Sequence, residues 1–251
     1  MPAPTMNAGL RLGYKLAGLW LAVLGIEPAA AQATTDWMAV CHADAESATA
    51  RVAACSRVIE EQTDQATRAD AFLQRGVLHE LGGERDAAVK DYTEAIKIDD
   101  TNALAFFNRG NAYDQLGQVD LAIADYTRAI KLDPTDPDFY NNRGQVYDSR
   151  GEHDFAISDY TEAIRLDPAN ARPFYNRGLS YANKGDFQRA IAEFDEAIKL
   201  TPDDADLYVA RGAANEELGN QTAARADYRK ALETDPDHED AQEALNRLGG
   251  R

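Results

Sequence analysis

The chain has 251 residues, with 43 acidic side chains against 26 basic ones and a formal net charge of −17. That balance argues against DNA, RNA and anionic membrane as partners, because phosphate recognition needs clustered Lys and Arg. It does not by itself name a basic partner, since surface acidity also serves solubility.

In chain order, residues 1–31 read as a secretory signal peptide. Arg11 and Lys15 form a positive start, Leu16 to Ile26 an apolar run, and Pro28-Ala29-Ala30-Ala31 a small-residue cleavage site before Gln32. The apolar run is short for a membrane span, which takes about 20 residues. Cleavage leaves no expectation of stable membrane insertion, and retention as an anchor is the competing reading. The expected location is periplasmic.

Residues 32–68 hold a degenerate helical hairpin, with a first helix near Asp36–Ala43, a turn near Asp44–Ser47 and a second helix through Ile59. The run Arg51 to Ile59 aligns with Ala122 to Ile130 further along, which puts Cys55 where other copies carry a large aromatic. In an antiparallel hairpin Cys41 faces Cys55, and an even pair in an oxidising compartment predicts a disulfide. Without Cys-x-x-Cys spacing, and with only His42 nearby, a metal or redox site is the weaker reading.

From residue 69 the sequence repeats every 34 residues, as 69–102, 103–136, 137–170, 171–204 and 205–238. In 103–136 the positions Phe106, Gly110, Tyr113, Ala122, Tyr126, Ala129 and Ile130 recur at helical spacing, which predicts two amphipathic helices near 103–116 and 119–131. Gly117 lies in the turn between them and Pro134 follows the second. A mid-helix glycine costs about 1 kcal/mol against alanine. Its return as Gly76, Gly110, Gly144, Gly178 and Gly212 therefore predicts close helix approach, with Tyr92, Tyr126, Tyr160, Phe194 and Tyr228 as the large partners. Glu239 to Leu248 reads as a closing helix over the last apolar face, within a capping segment 239–251.

The pattern aromatic-x3-Gly-x2-Tyr, Gly, Ala-x3-Tyr-x2-Ala, Pro resembles the tetratricopeptide repeat (TPR). The resemblance implies an all-α, right-handed superhelical solenoid of helix-turn-helix hairpins. Asp100, His79, Asn215 and Thr234 depart from the pattern, all in the outer copies. The resemblance further implies a protein or peptide partner in a concave face lined by each first helix. It points to Phe107, Asn108, Asn111 and Asp114, then Asn141, Asn142, Gln145 and Asp148, then Arg172, Tyr175, Asn176 and Asn183. Side-chain amides donate to and accept from a peptide backbone without demanding a particular side chain. The co-chaperone members of this family carry a carboxylate clamp. Asn111, Asn142 and Arg172 fit it, whereas Phe107 and Asn176 stand where it has basic residues.

Arg75, Arg109, Arg143, Arg177 and Arg211 precede the glycines, and Asp91, Asp125, Asp159, Glu193 and Asp227 precede the second-helix aromatics. Equal periods predict an ion-pair ladder rather than a basic stripe. Acidic clusters such as Asp133 to Asp138 read as helix caps, not calcium loops. No nucleophile, phosphate-loop or zinc-protease motif is found, so no catalytic residue, metal or cofactor is expected. A non-catalytic scaffold of the cell envelope is the leading expectation. A self-associating envelope subunit, or a polysaccharide binder using Phe107 and Tyr175, is the alternative.

Overall fold

The computed structural model describes residues 36–44, 46–61 and 64–249; the expected signal segment lies outside them. The described residues form thirteen α-helices and no strand. A short α1 (Trp37–His42) and α2 (Ala48–Glu61) make the first hairpin. Five regular hairpins follow: α3 (Gln65–Leu81) with α4 (Arg85–Ile98), α5 (Ala103–Gln115) with α6 (Val119–Leu132), α7 (Pro137–Ser149) with α8 (His153–Leu166), α9 (Ala171–Asn183) with α10 (Phe187–Leu200), and α11 (Ala205–Glu217) with α12 (Gln221–Thr234). The last helix, α13 (Glu239–Arg247), closes the row.

Local chemistry sets these boundaries. Asn102, Asp136, Asn170 and Asp204 each accept a backbone N–H from the first turn of the helix that follows. One turn earlier, Asp133 takes the backbone N–H and the hydroxyl of Thr135, which bends the chain between repeats. Thr101 does the same for Asp99, and these bonds hold the Asp99 and Asp133 carboxyls below the usual carboxylate range. The inter-repeat acids are therefore caps and turn formers. Gly117 takes φ 70° in the hairpin turn, the left-handed conformation that a side chain would strain. The first regular repeat starts early: α3 begins at Gln65, one turn ahead of residue 69, because Asp64 caps it through the Thr67 backbone N–H and hydroxyl.

Each helix packs on its chain neighbours, and the first helices also touch one another in the series α1, α3, α5, α7, α9, α11. The second helices form no comparable row. First helices thus line the inner side of the stack, second helices the outer. Within a hairpin the contact is a ring laid on a glycine. A Cβ at Gly144 would sit 2.7 Å from the Tyr160 ring, and at Gly110 2.9 Å from that of Tyr126. All five second-helix aromatics are buried. The ends are closed differently. At the start, Cys41 and Cys55 form a disulfide, fully buried beside Ala54 and Leu78. At the finish, Ala244 and Leu245 cover Ala224 and Tyr228, and Arg247 pairs with Glu216 at 2.8 Å.

Two outcomes follow from this packing. Gly144→Ala raises helix propensity, yet it should lower stability by about 1–3 kcal/mol through overpacking against Tyr160, seen as a lower urea midpoint. Cys55→Ser should lower stability by up to about 3 kcal/mol, the chain-entropy value for a loop of this size, and make the thermal midpoint insensitive to reductant.

Candidate partner-binding groove

The arginine ladder holds the repeats in register behind the groove. Arg143 forks onto Asp159 at 2.8 and 2.7 Å, and the same pairing recurs from Arg75 to Asp91, Arg109 to Asp125 and Arg211 to Asp227, with Arg177 meeting Glu193 at 2.8 Å. Each arginine also reaches back one repeat. Its remaining guanidinium nitrogen donates to Ser56, Thr93, Thr127 or Thr161, or pairs with Asp195 at the last step. The guanidinium lies over an aromatic ring of its own helix, as Arg109 over Phe106 and Tyr113. Burial pushes the Asp159 carboxyl up more strongly than Arg143 pulls it down. Despite burial, the same carboxylate holds the Arg143 guanidinium above its ordinary value, so breaking the pair from one side strands a buried charge.

A second chain of hydrogen bonds crosses the inner side. Tyr126 donates to Asn111 Oδ1 at 2.7 Å, and Asn142 Nδ2 donates to the same oxygen at 2.9 Å. Asn141 Nδ2 donates to Asn142 Oδ1, and Asn176 Nδ2 to Asn141 Oδ1 at 3.0 Å. Asn141 and Asn176 are 2 % and 8 % exposed, so their amides stitch α7 to α9 beneath the surface instead of facing a ligand.

The other expected site residues fall into separate places. Asn111, Asn142 and Gln145 line a 280 Å³ cavity with Glu80, Asp114, Gln115 and Tyr126. Arg172 and Tyr175 line another, of 410 Å³, with Asn170, Asp204, Asp206 and Leu207. The clamp-like set is thus divided: Arg172 lines a different cavity from Asn111 and Asn142. Phe107 packs its ring on Phe139 and Tyr126, with centroids 4.8 and 5.8 Å apart, and Tyr175 lies 5.9 Å from Phe194. Asn108 is half-buried on α5, and Asn183 is exposed at the end of α9. A larger cavity, 710 Å³, lies among the inter-repeat loops around Pro202, Thr234 and Asp235, away from the amides.

The sequence pointed to Asp114, Asp148 and Arg172 on the inner side, but not to how far acids outnumber cations there. The first-helix residues that line the two inner cavities occupy the register positions of Ala103, Leu104, Ala105, Phe107, Asn108, Asn111, Asp114 and Gln115. Over five repeats those positions carry Asp70, Glu80, Asp114, Asp138, Asp148, Asp206, Glu216 and Glu217 against Arg172 alone. Some have partners: His42 lies 2.9 Å from Asp70, His238 3.0 Å from Asp206, and Arg247 pairs with Glu216. The 34-residue register was enough to collect them, had acids been counted by position.

Comparison with known proteins agrees with this geometry. A TPR repeat profile matches residues 69–117, 110–151 and 146–185, and a second tetratricopeptide repeat profile matches 175–239. The chain belongs to the tetratricopeptide repeat family. Among solved structures, it is similar to MamA at 27 % identity and TM-score 0.62, over 64 % of this chain and 94 % of that one. MamA of Desulfovibrio magneticus RS-1 matches at 18 % identity and TM-score 0.65, over 70 % of this chain and 99 % of that one. YrrB, described as a TPR protein with an unusual peptide-binding site, matches at 22 % identity and TM-score 0.65, over 78 % and 99 % of the two chains. No curated protein sequence matches the chain. The TPR fold is a protein–protein interaction scaffold.

The ladder gives a testable asymmetry. Asp159→Ala alone should cost about 3 kcal/mol by stranding Arg143, whereas Arg143→Met with Asp159→Leu should be close to neutral, both read from denaturant midpoints.

Proposed function

We propose that this TPR protein is a non-catalytic scaffold that holds a partner's peptide segment along the inner row of first helices. The observation that carries the reading is that row itself. α3 to α11 touch in series, yet their inward side chains leave two open cavities, and amides with unspent donors and acceptors line one of them. Asn111, Asn142, Gln145, Arg172 and Tyr175 are the residues in contact with the partner in this reading, with Asn108 and Asn183 at the margin. Asn141 and Asn176 hold the floor. The buried Cys41–Cys55 disulfide favours an oxidising compartment, and with the leader-like residues 1–31 it supports work in a bacterial cell envelope. No helix among the described residues is long and apolar enough to cross a membrane.

A self-association reading is favoured by one observation: Leu121 and Phe155, at equivalent positions of successive second helices, are 47 % and 61 % exposed. Sedimentation separates the two, since Leu121→Ser with Phe155→Ser should change the mass only if copies pair through the outer side.

The groove reading is tested by placing a photocrosslinking side chain at Gln145, on the inner side, or at Lys131, exposed on the second helix of the preceding repeat. A partner crosslinked from Gln145 and lost on Asn142→Ala with Tyr175→Ala is the expected result. Crosslinking from Lys131 alone would move the site to the outer side.

A further inference from the structure

The inner cavity of the first three repeats holds a carboxylate whose usual partner, the second-helix tyrosine hydroxyl of its own repeat, is turned elsewhere. At the register position of Asp114, the other acids are engaged by their own repeat. Tyr92 donates to Glu80 at 2.8 Å, Tyr160 to Asp148 at 3.0 Å and Tyr228 to Glu216 at 3.0 Å. Asp148 is held further by Ser180 at 2.6 Å and faces His153 at 2.8 Å. Ser180 and His153 are particular to Asp148, and 34 residues back they have no polar counterpart. Ser180 becomes Val146 and His153 becomes Val119, neither of which can donate from its side chain. The hydroxyl of Tyr126, the third partner, is turned to Asn111.

Asp114 is therefore left with no side-chain hydrogen bond or ion pair, exposed to the groove and facing the 280 Å³ cavity with Glu80 on its far wall. Neighbouring side chains strip enough water from it to raise its carboxyl above the usual range. No lysine or arginine lines the cavity. Arg85 stands at its edge, its Nε donating to Gln115 Oε1 at 2.7 Å. The remaining wall, Asn111, Gln115, Tyr126, Asn142 and Gln145, carries no fixed charge, and Gln145 keeps an amide oxygen with no partner of its own.

We infer that this cavity is a subsite for one lysine or arginine side chain of the bound peptide, with Asp114 as its principal ion partner and Glu80 as the second. The inference rests on the groove reading and adds the chemistry of the occupant. The lining of the two inner cavities carries four carboxylates against one cation, Arg172, with Arg85 held on Gln115 at the edge, so charge complementarity favours a basic segment over an acidic or neutral one. A cation entering beside Asp114 supplies the hydrogen bonds that Tyr126, Val146 and Val119 do not. A charge-assisted pair in a partly dried cavity is stronger than one on open surface.

The test uses the chain with its disulfide intact and fluorescein-labelled Ala/Ser octapeptides carrying two Lys, two Arg, two Gln or two Glu. Binding is read by anisotropy at low and high salt. The Lys and Arg peptides should bind at least about tenfold tighter than the Gln peptide and lose affinity with salt. Asp114→Asn should lower the ratio of Lys-peptide to Gln-peptide affinity about tenfold. Glu60→Gln, an equal charge change on exposed α2, should do nothing. Equal loss from Glu60→Gln, or no loss from Asp114→Asn, overturns the subsite. If all four peptides bind alike and Tyr175→Ala abolishes them, the groove reading stands and the cation subsite falls. If none binds at either salt, the groove reading itself falls.

Discussion

Every level of this structure depends on a ring resting on a helix that has no side chain beneath it. When Tyr160 lies over Gly144, α7 and α8 approach closely enough to share one apolar seam, but that seam has an open flank. A single hairpin cannot close it, so the next hairpin must. The guanidinium of Arg143 then fixes how the neighbour sits, by holding Asp159 in its own hairpin and Thr127 in the previous one. Repetition of that tie produces a row of first helices on one side and leaves the inner wall unfilled. The same contact therefore gives both the fold and the vacancy that a partner can use.

Irregularities among the repeats carry the functional information. The arginine ties are nearly identical in all five, and they say little about what the protein binds. The inner wall is not identical. Asn141 replaces an aromatic found at the same place in the repeats on either side, Phe107 and Tyr175, and so admits the amide of Asn176. Tyr126 turns its hydroxyl to Asn111 and so frees Asp114, beside which Val146 and Val119 stand in place of the serine and histidine that hold Asp148. Both changes fall between α5 and α9, and both alter polarity without disturbing the packing behind them.

The architecture was legible because the 34-residue period is a direct image of it. Glycines in helix interiors announced the rings, and equal spacing of arginines and carboxylates announced the ladder. The alignment that placed Cys55 at an aromatic position also placed Ser56 where Thr127 stands, and the structure uses both as that register requires. Groove residues were less legible. Spacing assigns a residue to a helix face, but the positions of Asn141 and Asn176 sit at the edge between the open wall and the interface with the next repeat. Which side such a residue takes depends on the size of its neighbours, not on its own period. The backward reach of each arginine was hidden for a similar reason: Ser and Thr recur in many places, and nothing in their spacing marks them as acceptors. Only the positions of whole helices bring them within reach.

The central claim is that the inner wall of the stack, and no other surface, receives a cationic segment. Its most direct test is to follow the side-chain amide NMR signals of Asn111, Asn142, Gln115 and Gln145 during titration with the lysine-bearing octapeptide. The account predicts that these four move together and saturate, while the signals of Gln188 on α10 and Gln242 on α13 stay fixed. Movement confined to Gln188 and Gln242 would contradict it.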